Sequence, residues 1–261
     1  VYLWNNHRPM KRFTKGLPSL FTCMGLVCGC MSIVVATIHK DLNLAGYFIL
    51  AAAVFDFIDG FVARIFNAIS EFGKQLDSLA DVVSFGVAPA MIMYELIIRS
   101  FVKSSLSSDF DILRPPMGDA LIMYSAFLIA VFSALRLAKF NIDKEQVKSF
   151  RGLPTPANAL FFAALGFISE SSAGFPMDNL LYNRVFLVAT IALSSYLLVC
   201  NIRMFSLKFT SLEWKENSVR YIFLVFTLAT LLLFRGFPGL SAVIVLYILF
   251  SLINNWFVKM I

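Results

Sequence analysis

The chain has 261 residues, of which 59% are hydrophobic and 15% are charged, and its net charge is +6. A soluble domain of this length is nearer half apolar and a quarter charged, so this composition excludes an ordinary soluble protein. The positive charge does not indicate nucleic-acid binding. The Lys and Arg residues lie in short loops between apolar segments, as expected beside anionic membrane lipid.

Eight apolar segments follow one another along the chain, and most have the length of a membrane-spanning helix. They cover residues 17–38, 44–66, 73–98, 119–140, 155–170, 183–200, 219–234 and 238–258. The sequence therefore predicts an all-α fold, a polytopic membrane helix bundle of about eight transmembrane helices. We expect a single transmembrane domain over residues 1–261, with the catalytic core at about 17–160 and additional helices at about 183–258.

Basic residues in alternate loops predict the orientation of this bundle. They precede the first segment and follow the fourth and the sixth: Arg8, Lys11, Arg12, Lys15, Lys139, Lys144, Lys148, Arg151, Arg203, Lys208 and Lys215. The positive-inside rule places these loops, and with them both termini, in the cytoplasm. Arg99, Lys103 and Arg114, which follow the third segment, fit this orientation poorly. Because the sequence shows no targeting extension, we expect the inner membrane of a bacterium or archaeon.

An acidic stretch, DFIDGFVARIFNAISEFGKQLDSLAD at residues 56–81, interrupts the apolar pattern. Asp56 and Asp59 are three residues apart and share one helix face, while Asp77 and Asp81 are four apart on the next helix. A short loop makes the two helices antiparallel neighbours, which brings all four carboxylates to a similar depth. Such carboxylates repel one another unless cations lie between them. Hard oxygen ligands suit Mg²⁺, Mn²⁺ or Ca²⁺, so the stretch predicts a divalent metal site.

Small residues continue the two aspartate faces and leave room for a bulky ligand. Gly60 and Ala63 follow Asp59 on the first helix, and Gly73 precedes Asp77 on the second. Divalent metals suit a diphosphate, to which Arg64 would add a fixed positive charge. A single aspartate in a membrane helix is equally well a helix-end residue or the partner of a lysine. A divalent-cation transporter would also use intramembrane aspartates, but it leaves the glycines and Arg64 unexplained.

With its spacing written out, the stretch is D-x2-D-G-x2-A-R-x8-G-x3-D-x3-D. At every position it resembles the signature of the CDP-alcohol phosphatidyltransferase family. The resemblance implies a membrane enzyme that moves a phosphatidyl group from a CDP-lipid to an alcohol and releases CMP. It also implies that Asp56, Asp59 and Asp77 are the chief ligands of a two-metal site for Mg²⁺ or Mn²⁺. Asp81 would be both a metal ligand and the general base.

The same resemblance assigns residues to the CDP-lipid. Gly60, Ala63 and Gly73 would line the cytidine pocket, and Arg64 would lie near the phosphates. The family often shows P-N-x2-T-x2-N near its N-terminus, and this chain departs from that pattern. It has Ser19 and Gly25 where the family has Asn, so two amide side chains are replaced.

Three further motifs resemble the phosphatidylserine-synthase branch of the family. They are LDSLADVVSFGVAPA at Leu76–Ala90, ALRLAKFN at Ala134–Asn141 and FRGLPTPANA at Phe150–Ala159. This resemblance implies that CDP-diacylglycerol donates and L-serine accepts the phosphatidyl group. Another acceptor, such as glycerol 3-phosphate or inositol, would leave the core chemistry unchanged.

Serine carries a carboxylate, which requires a cation in the acceptor site. Arg136, Lys139 and Arg151 are the candidates, and Arg136 is favoured because a guanidinium binds a carboxylate through two hydrogen bonds. All three could also be anchors at the cytoplasmic membrane face, and for Lys139 the anchor role is favoured. We expect membrane lipids around the bundle, an active site at the cytoplasmic face and, by resemblance to the family, a homodimer.

Overall fold

A computed structural model describes residues 8–68, 70–104, 111, 114–142, 152–170, 178–204, 214–234 and 236–260. The helices in these ranges are α1 (Arg8–Val34), α2 (Leu42–Ile65), α3 (Glu71–Asp81), α4 (Ala88–Ser104), α5 (Met117–Tyr124), α6 (Leu128–Ile142), α7 (Thr155–Glu170), α8 (Asp178–Leu181), α9 (Arg184–Val199), α10 (Trp214–Leu233) and α11 (Leu240–Met260). One π-helical segment extends α1 over Val35–His39 and another, Val82–Val87, joins α3 to α4. Short 3₁₀ turns, Ser125–Phe127 and Phe237–Gly239, precede α6 and α11.

The predicted all-α membrane bundle is confirmed. Each of the eight apolar segments coincides with helix, and no strand is formed within the described ranges. Among the residues that the structure describes, three stretches are long and apolar enough to cross a membrane: Gly16–His39, Glu71–Lys103 and Met117–Ile142. Shorter apolar helices lie at Arg184–Val199, Arg220–Leu233 and Phe237–Ile253. The count of eight spans, the side on which the termini lie and the division into core and additional helices stay predictions.

Two capping residues determine where α2 and α3 begin. The Asp41 side chain accepts a hydrogen bond from the Leu44 amide at 2.9 Å, and Ser70 accepts one from the Gly73 amide at 3.0 Å. Each bond satisfies an amide that has no partner inside the helix. Between the helices the chain turns through Asn67, whose φ is +47°. After this tight connection α3 packs against α1 and the following π-helical segment, and it meets α2 mainly through the aspartate side chains.

The hydrophobic core is shared by the middle of the bundle. Ile49 of α2, Ile92 and Met93 of α4, Ile129 of α6 and Phe162 of α7 are fully buried. Helix α1 lies along α2, and α7 packs against both α2 and α4. The acidic ends of α2 and α3 are therefore held by a rigid apolar centre.

The π-helical segment Val82–Val87 is in close contact with α1. A side chain at Gly29 would place its Cβ 2.5 Å from the Ser84 hydroxyl, so the two backbones approach to a distance that only glycine allows. Ser84 also donates a hydrogen bond to the Gly25 carbonyl at 3.1 Å. Short π-helical segments are frequent at functional sites, and this one directly follows Asp81.

At the opposite end of the bundle four charged residues form an ion network: Lys40, Glu95, Arg99 and Glu170. Lys40 lies 2.8 Å from Glu95, and Arg99 lies 3.5 Å from Glu95 and 2.7 Å from Glu170. The amine of Lys103 lies 3.5 Å from the centre of the Tyr182 ring. Two of the three basic residues that fit the predicted orientation poorly are thus satisfied locally, by carboxylates and by an aromatic ring.

Candidate active site

Three of the predicted aspartates meet between α2 and α3. One carboxylate oxygen each from Asp56, Asp59 and Asp77 lies within 4.8 Å of the others. Asp59 is only 6% exposed and the other two are half-buried. We call these three residues the aspartate cluster. Oxygen donors of like charge, largely removed from water, are the donor set that a hard divalent cation requires. The cluster therefore fits the metal site that the sequence predicts.

Thr22 of α1 holds one of these carboxylates in place. Its hydroxyl lies 2.6 Å from Asp59 Oδ2 and 3.1 Å from the Pro18 carbonyl oxygen. A hydroxyl has one hydrogen to donate, and the shorter distance to a charged acceptor favours Asp59. Thr22 is 6% exposed, so water does not compete freely for this bond. The bond restricts rotation of the Asp59 carboxylate.

Asp81 lies one helical turn beyond Asp77 and outside the group of three. It nevertheless lines the same small inner cavity, whose wall consists of Thr22, Gly25, Ala52, Asp56, Asp59, Asp77, Ala80, Asp81, Ser84 and Phe85. The structure thus brings all four predicted aspartates to one cavity. It places Asp81 beside the aspartate cluster.

A larger cleft of about 170 Å³ opens next to the aspartate cluster. Its wall consists of Pro18, Ser19, Thr22, Asp59, Gly60, Ala63, Ala68, Ser70, Gly73, Lys74 and Asp77. Gly60, Ala63 and Gly73, the small residues singled out in the sequence, all lie there. Arg64 lies outside the wall; it is exposed, and its Nε donates to the Gly60 carbonyl at 2.8 Å.

Sequence reasoning missed two residues of this cleft, Ser70 and Lys74. Both occupy variable positions of the motif, so its spacing carries no signal for them. The N-cap pattern of Ser70 before α3 was the one available indication of the serine's position. Lys74 lies one residue after Gly73 and adds a positive charge to a wall that otherwise carries aspartates.

The two positions at which the family's amides are replaced both face this site. Ser19 lies on the wall of the cleft, and Gly25 lies on the wall of the inner cavity. A Cβ at Gly25 would lie 3.5 Å from the Phe55 Cβ and 3.6 Å from the Ala52 carbonyl oxygen, which is ordinary contact. Gly25 is therefore not required by helix packing alone, and a longer side chain there would extend toward the cavity.

Arg136 of α6 lies near Asp81. Its Nη1 donates to the Thr155 hydroxyl at 2.6 Å, and its charge interacts with Asp81 and with Tyr247 of α11. Sequence reasoning missed Tyr247 because it lies outside every motif, in the last helix. Arg151, the second predicted acceptor residue, lies outside the described residues. Lys139, one turn beyond Arg136, donates to the Asn201 side chain at 3.2 Å.

Comparison with known proteins points to the same family as the aspartate motif. The family model described as CDP-alcohol phosphatidyltransferase matches residues 15–253. The chain is 32% identical over 239 residues to the CDP-diacylglycerol–serine O-phosphatidyltransferase of Helicobacter pylori, covering 91% of this chain and 90% of the relative. It is 30% identical over 187 residues to the protein of that name in Bacillus subtilis, covering 72% and 88%. The Archaetidylserine synthase of Methanothermobacter thermautotrophicus is 37% identical over 166 residues, covering 62% and 63%.

Proposed function

Because the chain belongs to the CDP-alcohol phosphatidyltransferase family, and is therefore a membrane transferase, we propose that it transfers the phosphatidyl group of CDP-diacylglycerol to L-serine, giving phosphatidylserine and CMP. The observation that carries this proposal is the aspartate cluster, with Asp81 beside it and an arginine whose charge interacts with Asp81. The names of the bacterial relatives, which specify serine, support the acceptor.

The aspartate cluster and Asp81 would hold two divalent ions, Mg²⁺ or Mn²⁺. When bound, these ions neutralise the diphosphate and stabilise the CMP leaving group. The cleft next to the cluster would take the cytidine end of the donor, because Gly60, Ala63 and Gly73 leave its wall open. Lys74 on that wall and Arg64 at its edge supply positive charge for the phosphates.

Asp81 would accept the proton of the serine hydroxyl as that oxygen attacks the phosphorus of the phosphatidyl group. The new oxygen–phosphorus bond forms while the bond to CMP breaks, and CMP leaves with the electron pair. The Asp81 carboxylate suits the role of general base because it lies in the inner cavity, close to the residues that would bind the metal. Direct displacement requires no covalent phosphatidyl-enzyme, and a trapped lipid adduct would contradict it.

Arg136 would bind the serine carboxylate. Its guanidinium interacts with Asp81, and within the described residues its one hydrogen bond is from Nη1 to Thr155. The remaining donors form the fork that matches a carboxylate. Arg151 would assist from a position outside the described residues. The enzyme would lie in the inner membrane as a homodimer, with this site at the cytoplasmic face.

The test follows labelled L-serine into lipid, using purified protein, CDP-diacylglycerol and Mn²⁺ or Mg²⁺. We expect phosphatidylserine and CMP from the wild type and neither product after chelation or from Asp81→Asn. The matched control is Asp119→Asn, which removes a carboxylate in the first turn of α5 and should leave both products unchanged. Arg136→Gln should raise KM for serine while leaving KM for CDP-diacylglycerol unaffected.

Two outcomes would overturn parts of the proposal. If CMP appears only with glycerol 3-phosphate or inositol, the family chemistry stands and the serine assignment fails. If no alcohol yields CMP while reconstituted vesicles take up divalent metal, the aspartates form a transport pathway and the assigned reaction is wrong.

A further inference from the structure

The bundle contains buried polar groups that the proposed chemistry does not yet use. The Ser133 hydroxyl, Arg136 Nε, both amide atoms of Asn158 and the Ser195 hydroxyl have no hydrogen-bond partner within the ranges that the structure describes. Ser133 and Asn158 are 0% exposed, and Ser195 is 3% exposed. A buried donor or acceptor without a partner is costly, and an apolar lipid chain cannot satisfy it.

These residues belong to three helices, α6, α7 and α9, and two hydrogen bonds between these parts of the chain indicate their relative depth. Lys139 of α6 donates to Asn201, which follows α9, so residues 62 positions apart lie at a similar depth on the two helices. The same offset pairs Ser133 with Ser195. Helices α6 and α9 are packed against each other along their length.

Helix α7 runs in the opposite direction and brings the third residue to this level. Arg136 of α6 bonds to Thr155 of α7. Ser133 lies three residues before Arg136 on α6, and Asn158 lies three residues after Thr155 on α7, so each is about one turn farther into the bundle. Both are displaced by about 4.5 Å in the same direction. These offsets place Ser133, Asn158 and Ser195 at a similar depth in the bundle, about one turn beyond Arg136.

We propose that Ser133, Asn158 and Ser195 form a polar chamber that receives the charged amino-acid end of the acceptor. This inference rests on the proposed function and adds residues that determine acceptor specificity. The chamber offers both kinds of partner that a zwitterion needs. Arg136 Nε and the Asn158 NH₂ group donate to a carboxylate, while Asn158 Oδ1 and the two serine hydroxyls accept from an ammonium group.

The position of the chamber orients the acceptor. Arg136 connects the chamber with Asp81, because Ser133 lies one turn before it on α6 and its charge interacts with the Asp81 carboxylate. An amino acid bound with its charged groups in the chamber presents its side-chain hydroxyl toward Asp81. An uncharged polyol has no group that requires Arg136. The chamber includes α9, which lies outside the expected catalytic core at 17–160.

Steady-state kinetics of the full-length enzyme, with serine and CDP-diacylglycerol varied separately, test this inference. For Asn158→Leu we expect KM for serine to rise by about 10- to 100-fold, the loss of one or two hydrogen bonds to charged groups. KM for CDP-diacylglycerol and the affinity for Mn²⁺ should be unchanged. Ser133→Ala and Ser195→Ala should raise KM for serine by smaller factors, and they remain informative if Asn158→Leu fails to fold.

Thr227→Val is the matched control. The Thr227 hydroxyl also has no partner within the described ranges, but it lies on α10, which packs against α11. This variant should leave KM for serine unchanged.

Protection by serine against thermal unfolding provides a second readout. L-serine should raise the melting temperature of the wild type and of Thr227→Val, and less so that of Asn158→Leu. If the wild type makes phosphatidylserine and all three chamber variants keep its KM for serine, the chamber is structural and the inference is wrong. If the wild type makes no phosphatidylserine with serine, the proposed function itself fails, which is a distinct result.

Discussion

The two ends of this bundle treat buried charge in opposite ways. In the ion network, Glu95 is 4% exposed and faces Lys40 at 2.8 Å, while Arg99 reaches both Glu95 and Glu170. In the aspartate cluster, three carboxylates approach within 4.8 Å of one another. One end pairs each buried negative charge with a positive one, and the other concentrates charge of one sign.

The difference indicates which charges contribute to stability and which to function. In a buried ion pair with good geometry each charge is compensated by its partner, and removing one partner destabilises the fold. A cluster of like charges opposes folding unless a ligand of opposite charge is bound. We therefore expect substitutions at the two ends to separate stability from activity.

The largest effect is expected for Asp59→Asn in the aspartate cluster. Activity should fall by about a thousandfold or more, because a metal ligand contributes several kcal/mol to the transition state. In a chelator the variant should be at least as stable as the wild type, since one of three repelling charges is gone. CMP release and thermal unfolding in EDTA measure the two effects. A variant that is less stable in EDTA would show that the cluster supports the fold.

Divalent metal should stabilise the protein through the aspartate cluster and Asp81, and not through the ion network. At a free Mn²⁺ concentration a hundred times Kd, binding adds about 2.7 kcal/mol to the free energy of unfolding. The measurement is thermal or denaturant unfolding with Mn²⁺ and with EDTA. Asp59→Asn should lose most of this difference and Glu95→Gln should keep it. Equal loss in both variants would contradict the separation of the two ends.

Glu95→Gln tests the ion network. We expect a loss of about 1.5–3 kcal/mol in the free energy of unfolding, because Lys40 and Arg99 lose their charged hydrogen-bond partner. Below the melting temperature, kcat and the affinity for Mn²⁺ should match the wild type. Asp119→Asn is the control and should change stability by a few tenths of a kcal/mol through the α5 dipole. Loss of activity without loss of stability would overturn the assignment of this network to stability.

The smallest effect is expected at Thr22, which supports a ligand and does not bind the metal itself. Thr22→Val removes the 2.6 Å bond to Asp59 and should weaken Mn²⁺ binding about 10- to 100-fold. Thr22→Ser retains the hydroxyl and should restore most of the affinity. Metal titration of the two variants measures this directly. If Val and Ser behave alike, packing and not the hydrogen bond explains the role of Thr22.

Much of the aspartate site could be predicted because it is local in sequence. Asp56 and Asp59 lie on one helix, Asp77 lies on the next, and Ser70 and Asn67 form the turn between them. Helical periodicity and one short connection suffice to bring these groups together. The contact of Thr22 with Asp59 spans 37 residues, and no periodicity predicts it.

The ion network and Lys103 show the reverse case, because their contacts are not local in the sequence. Arg99 and Lys103 appear in the sequence as exceptions to the positive-inside rule, since the rule counts charges and not their partners. The partner Glu170 of Arg99 is 71 residues away in the chain, and Tyr182 is still farther from Lys103. Only the packing of α4 beside α7 shows that Arg99, an exception to the rule, is paired with a carboxylate.

The sequence by itself determined that this protein is a helical membrane protein, and it identified the family through one continuous motif. Those properties depend on apolar length and on spacing along neighbouring helices, which are local. Tertiary structure decided that α1 orients Asp59, that the charge of Arg136 interacts with Asp81, and that Arg136 bonds to Thr155 of α7. The physical reason is that each of these contacts joins helices far apart in the chain, whose depth and direction are determined only when the apolar core packs.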